Sequence, residues 1–256
     1  MNRKLTVQQI VQQMVLAGVH FGHRRRLRNP KMIPYIYTEK DDLQIIDLLQ
    51  TYWYLKIAST YLFNACCQGQ RILFVGTKGP LGQCIEQTAN DCHSWYINKR
   101  WLGGLLTNWE TMQKSIFSGA EYRRPLGSEI PSAGIREADR ATQTLAQKSK
   151  TGLSPERQKK RLMKYRKYLG GVQTMSQLPD IVIIVGQQKE MNAVRECQKL
   201  KIPSLTILDT DGDPSLTDFF IPANDDSLTS VQYILSKLSN AIKEGQKDFQ
   251  RQKKGL

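Results

Sequence analysis

Two segments constrain this fold more than any others: "LPDIVIIVG" (178–186) and "IPSLTILDT" (202–210). Each is a short unbroken run of Ile, Val and Leu instead of an alternating one, and "QKEMNAVRECQKLK" (188–201) between them has a helical pattern. Strands apolar on both faces, alternating with helices, predict a parallel sheet covered on both sides. "RILFVG" (71–76) repeats the theme, followed by a glycine-rich turn and by Pro80, well placed to open a helix. "SWYINKRW" (94–101) and "DFFIPAN" (218–224) supply two further strands. The class is α/β.

Other segments attach to this frame. "TVQQIVQQMVLAG" (6–18) reads as a helix with a Thr6/Gln9 capping box, an apolar stripe of Val7, Ile10, Val11 and Met14, and Gly18 as its stop. The arginine-rich stretch "AGVHFGHRRRLRNPKM" (17–32) reads as a loop, kept from continuing as helix by Pro30 and Pro34. "YIY" and "LQIIDL" follow as short strands, then a helix over Thr51–Cys66, while "SLTSVQYILSKLSNAIKEG" closes the chain's folded part. Residues 105–171 break the alternation and fit a helical hairpin insertion. The expected domains are 1–104 with 172–240 as the α/β body, 105–171 as the hairpin, and 241–256 as a basic C-terminal tail.

Charge narrows the function. The chain carries a net +14, gathered unevenly: residues 1–40 hold +7 and residues 112–171 hold +9, whereas residues 172–240 hold −4. Two basic zones on a near-neutral or acidic scaffold predict a polyanionic partner. No apolar run approaches the roughly 18–20 residues of a membrane span, and the N-terminus reads as mature folded sequence. Five cysteines, odd in number and without a CxxC pair, fit a reducing compartment.

Catalytic and metal motifs fail on spacing. His20 and His23 lack further ligands nearby, with Cys92 and His93 the only remote candidates, and four arginines follow directly. "GTKGPLG" lacks the P-loop Gly-Lys-Ser/Thr triplet and the acid that a dinucleotide fold places about 20 residues on. "DTDGDP" has its glycine misplaced for a calcium loop and reads as turn-forming aspartates. No catalytic residue, cofactor or metal is expected.

The basic features survive. The candidate RNA-binding residues are His20, His23, Arg24, Arg25, Arg26, Arg28, Asn29 and Lys31 in the first zone, Lys78 in the glycine turn, and Lys99, Arg100, Trp101 and Asn108 in "NKRWLGGLLTNW". Lys159, Lys160, Arg161, Lys164, Arg166 and Lys167 complete the set in the hairpin's second helix. Arg offers bidentate phosphate contacts, Lys point charges, and Trp or His a stacking surface.

The strings "AGVHFGH", "NPKM", "FVGTK", "KRWLGGLLTNW", "LPDIVIIV", "IPSLTILDTDGDP" and "IPANDDS" occur in this order. By them the chain closely resembles the S2 family of small-ribosomal-subunit proteins, bacterial and organellar type. The resemblance implies a flavodoxin-like parallel sheet with a projecting helical hairpin and a structural, non-enzymatic role in translation. Its implied partners are small-subunit ribosomal RNA and neighbouring small-subunit proteins, including the large messenger-binding protein. The strings look most like the chloroplast and cyanobacterial branch, which implies a plastid ribosome, with the bacterial cytoplasm as the alternative. A nucleotide-binding α/β enzyme using the glycine turn, and an RNA-binding regulator off the ribosome, are the competing readings.

Overall fold

A computed structural model describes residues 6–113, 163, 167–253 and 255. Helix α1 (Val7–Leu16) starts as the sequence predicts: Thr6 accepts from the Gln9 amide while the Gln9 side chain accepts from the Thr6 N–H. The stretch expected as an arginine-rich loop contains a strand, β1 (Phe21–Arg24). It pairs antiparallel with β3 (Leu43–Ile46), whose other edge takes β2 (Ile36–Lys40), in the order β1-β3-β2. Asp41 and Asp42, both at positive φ (52° and 65°), turn β2 into β3 as a tight hairpin requires. Helix α2 (Leu48–Cys67) begins three residues before the expected Thr51 because the Asp47 carboxylate caps it, accepting from Leu49 N–H at 2.9 Å.

The body then runs β4 (Ile72–Val75), α3 (Gly82–Asp91), β5 (Trp95–Ile97), β6 (Ile181–Val185), α4 (Met191–Leu200), β7 (Ser204–Leu208), β8 (Phe219–Pro222) and α5 (Leu228–Lys253). Its five strands are all parallel in the order β5-β4-β6-β7-β8, the flavodoxin-like arrangement. Alternation along the strands divides the core in two. Ile72, Phe74, Ile181, Ile183 and Val185 join residues of α2, α3 and α5 on one face. Leu73, Val75, Val182 and Ile184 join α4 and the segments around Trp101 and Val172 on the other. Both faces of these strands are buried against apolar side chains, which is why the strands read as unbroken apolar runs.

Two expected boundaries move. Leu105, Leu106, Met112 and Leu169 are buried in the second core, so the body reaches past residue 104 at one end of the insertion and begins before 172 at the other. The expected basic tail is helical to Lys253: Ile242 and Gly245 of α5 are buried against the body. Gly245 sits where a Cβ would come 2.5 Å from the Phe63 carbonyl of α2, and the Phe249 ring lies over Gly69. Residues 114–162 and 164–166 of the expected hairpin, including Lys159, Lys160, Arg161, Lys164 and Arg166, lie outside the described residues. Among the described residues no helix is long and apolar enough to cross a membrane.

Candidate nucleic-acid interface

Flavodoxin-like folds bind ligands in the crevice at the carboxyl ends of the strands, where the strand order reverses. That place lies between β4 and β6, and here the chain's own side chains occupy it. The Thr77 N–H donates to Glu190 Oε1 at 2.8 Å and its hydroxyl donates to the same oxygen, while Lys189 Nζ donates to the Thr77 carbonyl at 3.0 Å. Glu190 is 1% exposed, and burial raises its carboxyl pKa although Thr77 and the neighbouring lysines oppose the shift. An internal carboxylate therefore stands where a nucleotide phosphate would meet the glycine turn.

Lys78, expected to face RNA, instead turns inward. Its ammonium donates to Asp225 and, at 2.7 Å, to Asp226. Burial pushes the Asp225 carboxyl up to about 7, and repulsion from Asp209 and Asp211 helps to outweigh the attraction of Lys78. The Lys78 ammonium ends above its ordinary value, because the two aspartates overcome its own burial penalty. Lys78 is thus taken up by the chain's own carboxylates and is not presented to a phosphate as the nucleotide-enzyme reading requires.

His23 belongs to this acid group. Its Nδ1 lies 3.1 Å from Asp209 and its Nε2 3.2 Å from Asp226. The close contact with the Asp209 carboxylate raises its pKa to about 9 against the cost of burial, so the ring is an imidazolium at neutral pH. Among the described residues, only these three bring His and carboxylate atoms close enough (within 4.8 Å) to share an ion. Cys92 and His93, the remote candidates in the sequence, are not among them. With two protons on the ring, the imidazolium itself supplies the positive charge between the carboxylates. His20 behaves differently: burial lowers its pKa, and its ring meets that of Phe21 at a tilt of 38° with the centroids 4.0 Å apart.

The same contacts fix the arginine turn. His23 N–H donates to Thr210 Oγ1 and Asn29 N–H to the Thr210 carbonyl, both at 2.9 Å. Lys31 Nζ donates to Asp213 Oδ2 and Ser215 Oγ at 2.7 Å each. Strand β1 can lie this close because residue 22 is glycine: a Cβ there would stand 2.6 Å from the Thr210 methyl. Between these ties Arg24, Arg25 and Arg26 are exposed and Arg28 half-buried; among the described residues only Arg25 of the four is paired, to Glu39 at 3.5 Å.

A second basic edge is built on α4. The Glu196 carboxylate accepts from the Trp101 indole N–H (2.9 Å), from the N–H groups of Gly104 (2.8 Å), Leu106 (2.9 Å) and Thr107 (3.1 Å), and from the Thr107 hydroxyl (3.3 Å). Trp101, expected as a stacking surface, is thus 7% exposed and part of the scaffold. Gly104 supplies the positive φ (82°) that lets successive N–H groups converge. Lys99, Arg100 and Asn108 flank this wrapped loop and are exposed. Lys167 is exposed as well, its ammonium 5.8 Å from the Tyr168 ring centre.

The acids that organise both edges escaped the reading of the sequence as functional residues. For Glu196 a signal was present: it falls within the face of α4 that carries Ala193, Val194 and Cys197, and a carboxylate in an apolar stripe demands donors.

Comparison with known proteins fits this construction. The family model for ribosomal protein S2 matches residues 14–245. The small ribosomal subunit protein uS2c of Oltmannsiellopsis viridis is 45% identical over 248 residues, covering 96% of this chain and 97% of its own. The uS2c protein of Chlorella vulgaris is 44% identical over 92% of this chain and 82% of its own length. The uS2 protein of Synechococcus sp. strain JA-2-3B'a(2-13) is 46% identical over 91% and 82%. A parallel α/β body with a blocked ligand crevice and basic edges defines a binding protein of structural type. The chain belongs to the ribosomal protein S2 family.

Proposed function

We propose that the chain grips small-subunit ribosomal RNA through basic edges pinned in place by its own acids. It is a structural constituent of the small ribosomal subunit and not an enzyme, and the plastid ribosome is its home. The first edge is Arg24, Arg25, Arg26, Arg28 and Lys31, and the second is Lys99, Arg100 and Asn108; the cations of 159–166, outside the described residues, are expected as further RNA contacts. His20, His23, Lys78 and Trp101 serve the scaffold in this reading. The observation that carries it is the arginine turn: three exposed guanidinium groups on a segment tied down on both sides, a single one of them paired among the described residues. Mutual repulsion makes such a turn unfavourable in isolation and favourable beside a polyanion. Leu49, Trp53 and Ile57 form an exposed apolar stripe along α2, which supports contact with neighbouring small-subunit proteins.

The test is rebinding of the purified protein to small subunits stripped of it by a high-salt wash. Neutralising Arg24, Arg25, Arg26 and Arg28 together should weaken rebinding and flatten its salt dependence, by roughly 0.7–0.9 in the logarithmic slope per lost phosphate contact, by analogy with DNA. An unchanged slope removes the turn from the interface.

A further inference from the structure

Glu196 is a buried carboxylate to which, among the described residues, no lysine or arginine is paired; neutral donors alone hold it. Two oxygens offer about four lone-pair sites, and five donors use them fully. Those donors all come from 101–107, a segment that belongs to no strand and is turned internally by bonds such as Leu105 N–H to the Leu102 carbonyl (3.1 Å) and Asn108 N–H to the Gly104 carbonyl (2.8 Å). The carboxylate supplies the order that a ladder or helix would otherwise provide.

We propose that Glu196 is a positioning residue of the ribosomal RNA interface: by gathering the N–H groups of 104–107 and the Trp101 indole, it presets Lys99, Arg100 and Asn108 for phosphate. This rests on the reading of Lys99 and Arg100 as RNA contacts. Trp101, Leu105 and Leu106 turn into the second core while Lys99, Arg100 and Asn108 stay outside. The carboxylate sits at the changeover, so the inward and outward sets are fixed together. Replacing it by an amide puts an NH2 group against donors already in place. Part of the loop must then turn to water to satisfy its N–H groups. The cations remain on the chain but lose their fixed geometry, and the cost of ordering them moves into the binding step.

The experiment again uses stripped small subunits and the purified full chain, across a salt series at a temperature where each variant is folded. Lys99→Ala/Arg100→Ala should lower the logarithmic salt slope by roughly 1.4–1.8. Glu196→Gln should weaken rebinding about tenfold, equivalent to ~1.4 kcal/mol, and lower the slope in the same direction. The triple variant should bind no more weakly than the Lys99/Arg100 double, since the two changes disable one element. Additive losses, or unchanged rebinding of Glu196→Gln beside a weakened double variant, overturn the positioning role and leave the RNA contact standing. Unchanged affinity and slope in the double variant overturn the contact itself and the proposal with it. If Glu196→Gln does not fold, Trp101→Phe removes one donor and keeps the rest. Its rebinding should weaken about threefold, and unchanged rebinding again overturns the role.

Discussion

The arginine turn and the wrapped loop solve one problem with different chemistry. Both are irregular segments rich in cations that must be held on a body without losing their outward charge. The turn is clipped by charge: His23 to Asp209 and Asp226, Lys31 to Asp213, with backbone bonds to Thr210 between them. The loop is held by neutral donors around one buried carboxylate. Charged clips at a half-exposed surface weaken with salt and with deprotonation. A neutral cradle around a desolvated acid responds little to either, but fails badly when the acid is removed. The acids of residues 172–240 are thus the fittings that hold the cations.

The largest effect is expected at Glu196. Glu196→Ala leaves four N–H groups and a hydroxyl facing an apolar gap. The expected loss is about 3–5 kcal/mol, or a Tm lowered by roughly 10–15 °C for a body of this size. The loss should be the same at low and high salt, read by thermal unfolding in 0.05 and 0.5 M salt. A drop of only a degree or two would mean that the loop repacks easily, and the contrast with the turn would collapse.

Much of the body was legible because its strands bury both faces. "ILFV", "IVIIV" and "SLTIL" lie in the sheet as their composition demands, and the Thr6 cap and Gly-Pro turn are local chemistry. Strand β1 was hidden because its alternation runs straight into Arg24 and its partner β3 lies beyond a hairpin. The tail was misread because its many cations outweigh the spacing of Ile242, Gly245 and Phe249, which pack on α2 and its end. The site was less legible still. Trp101 and Lys78 carry the right chemistry for RNA, but their direction is set by Glu196 and Asp225, acids that only the tertiary fold brings to them. Residue type reveals what a side chain can do; its partner decides which of those things it does.

A middle-sized effect should follow pH. His23 has its pKa raised from 6.5 to about 9 in the folded chain. The folded state therefore holds a proton that the unfolded state releases, and stability falls as pH rises from 6.5 through 9. The full shift corresponds to about 3 kcal/mol, which partial solvent access reduces to about 1–2 kcal/mol. Asp225 also holds a proton more tightly when folded, but its window lies between 3.8 and about 7. Buried thiols such as Cys66, raised from 9.0 to about 12, take effect only above 9. Thermal unfolding between pH 7.5 and 8.5, above most of the Asp225 titration, reads mainly the histidine. The native chain should lose more stability across that interval than His23→Gln; parallel curves would show that the clip is not an imidazolium.

The smallest effect belongs to Lys31, and it separates the two anchoring modes most cleanly. Its side chain is 55% exposed, so Lys31→Met should cost less than about 1 kcal/mol at low salt and nothing measurable at 0.5 M. Asp213 keeps its other work in that variant, because it also accepts from the Ser215 N–H and hydroxyl. Burial pushes the Asp213 carboxyl up, but the Lys31 bond and those from Ser215 together hold it below its usual value. The variant should therefore let that carboxyl titrate higher, which carbon-detected NMR can follow. On the ribosome the same ammonium has a rival partner, since a phosphate can take it from Asp213. The loss in rebinding to stripped subunits should then exceed the loss in stability, both vanishing together as salt rises. If Lys31→Met instead destabilises equally at every salt, its bond to Asp213 is a buried fitting like that of Glu196, and charge is not what holds the turn.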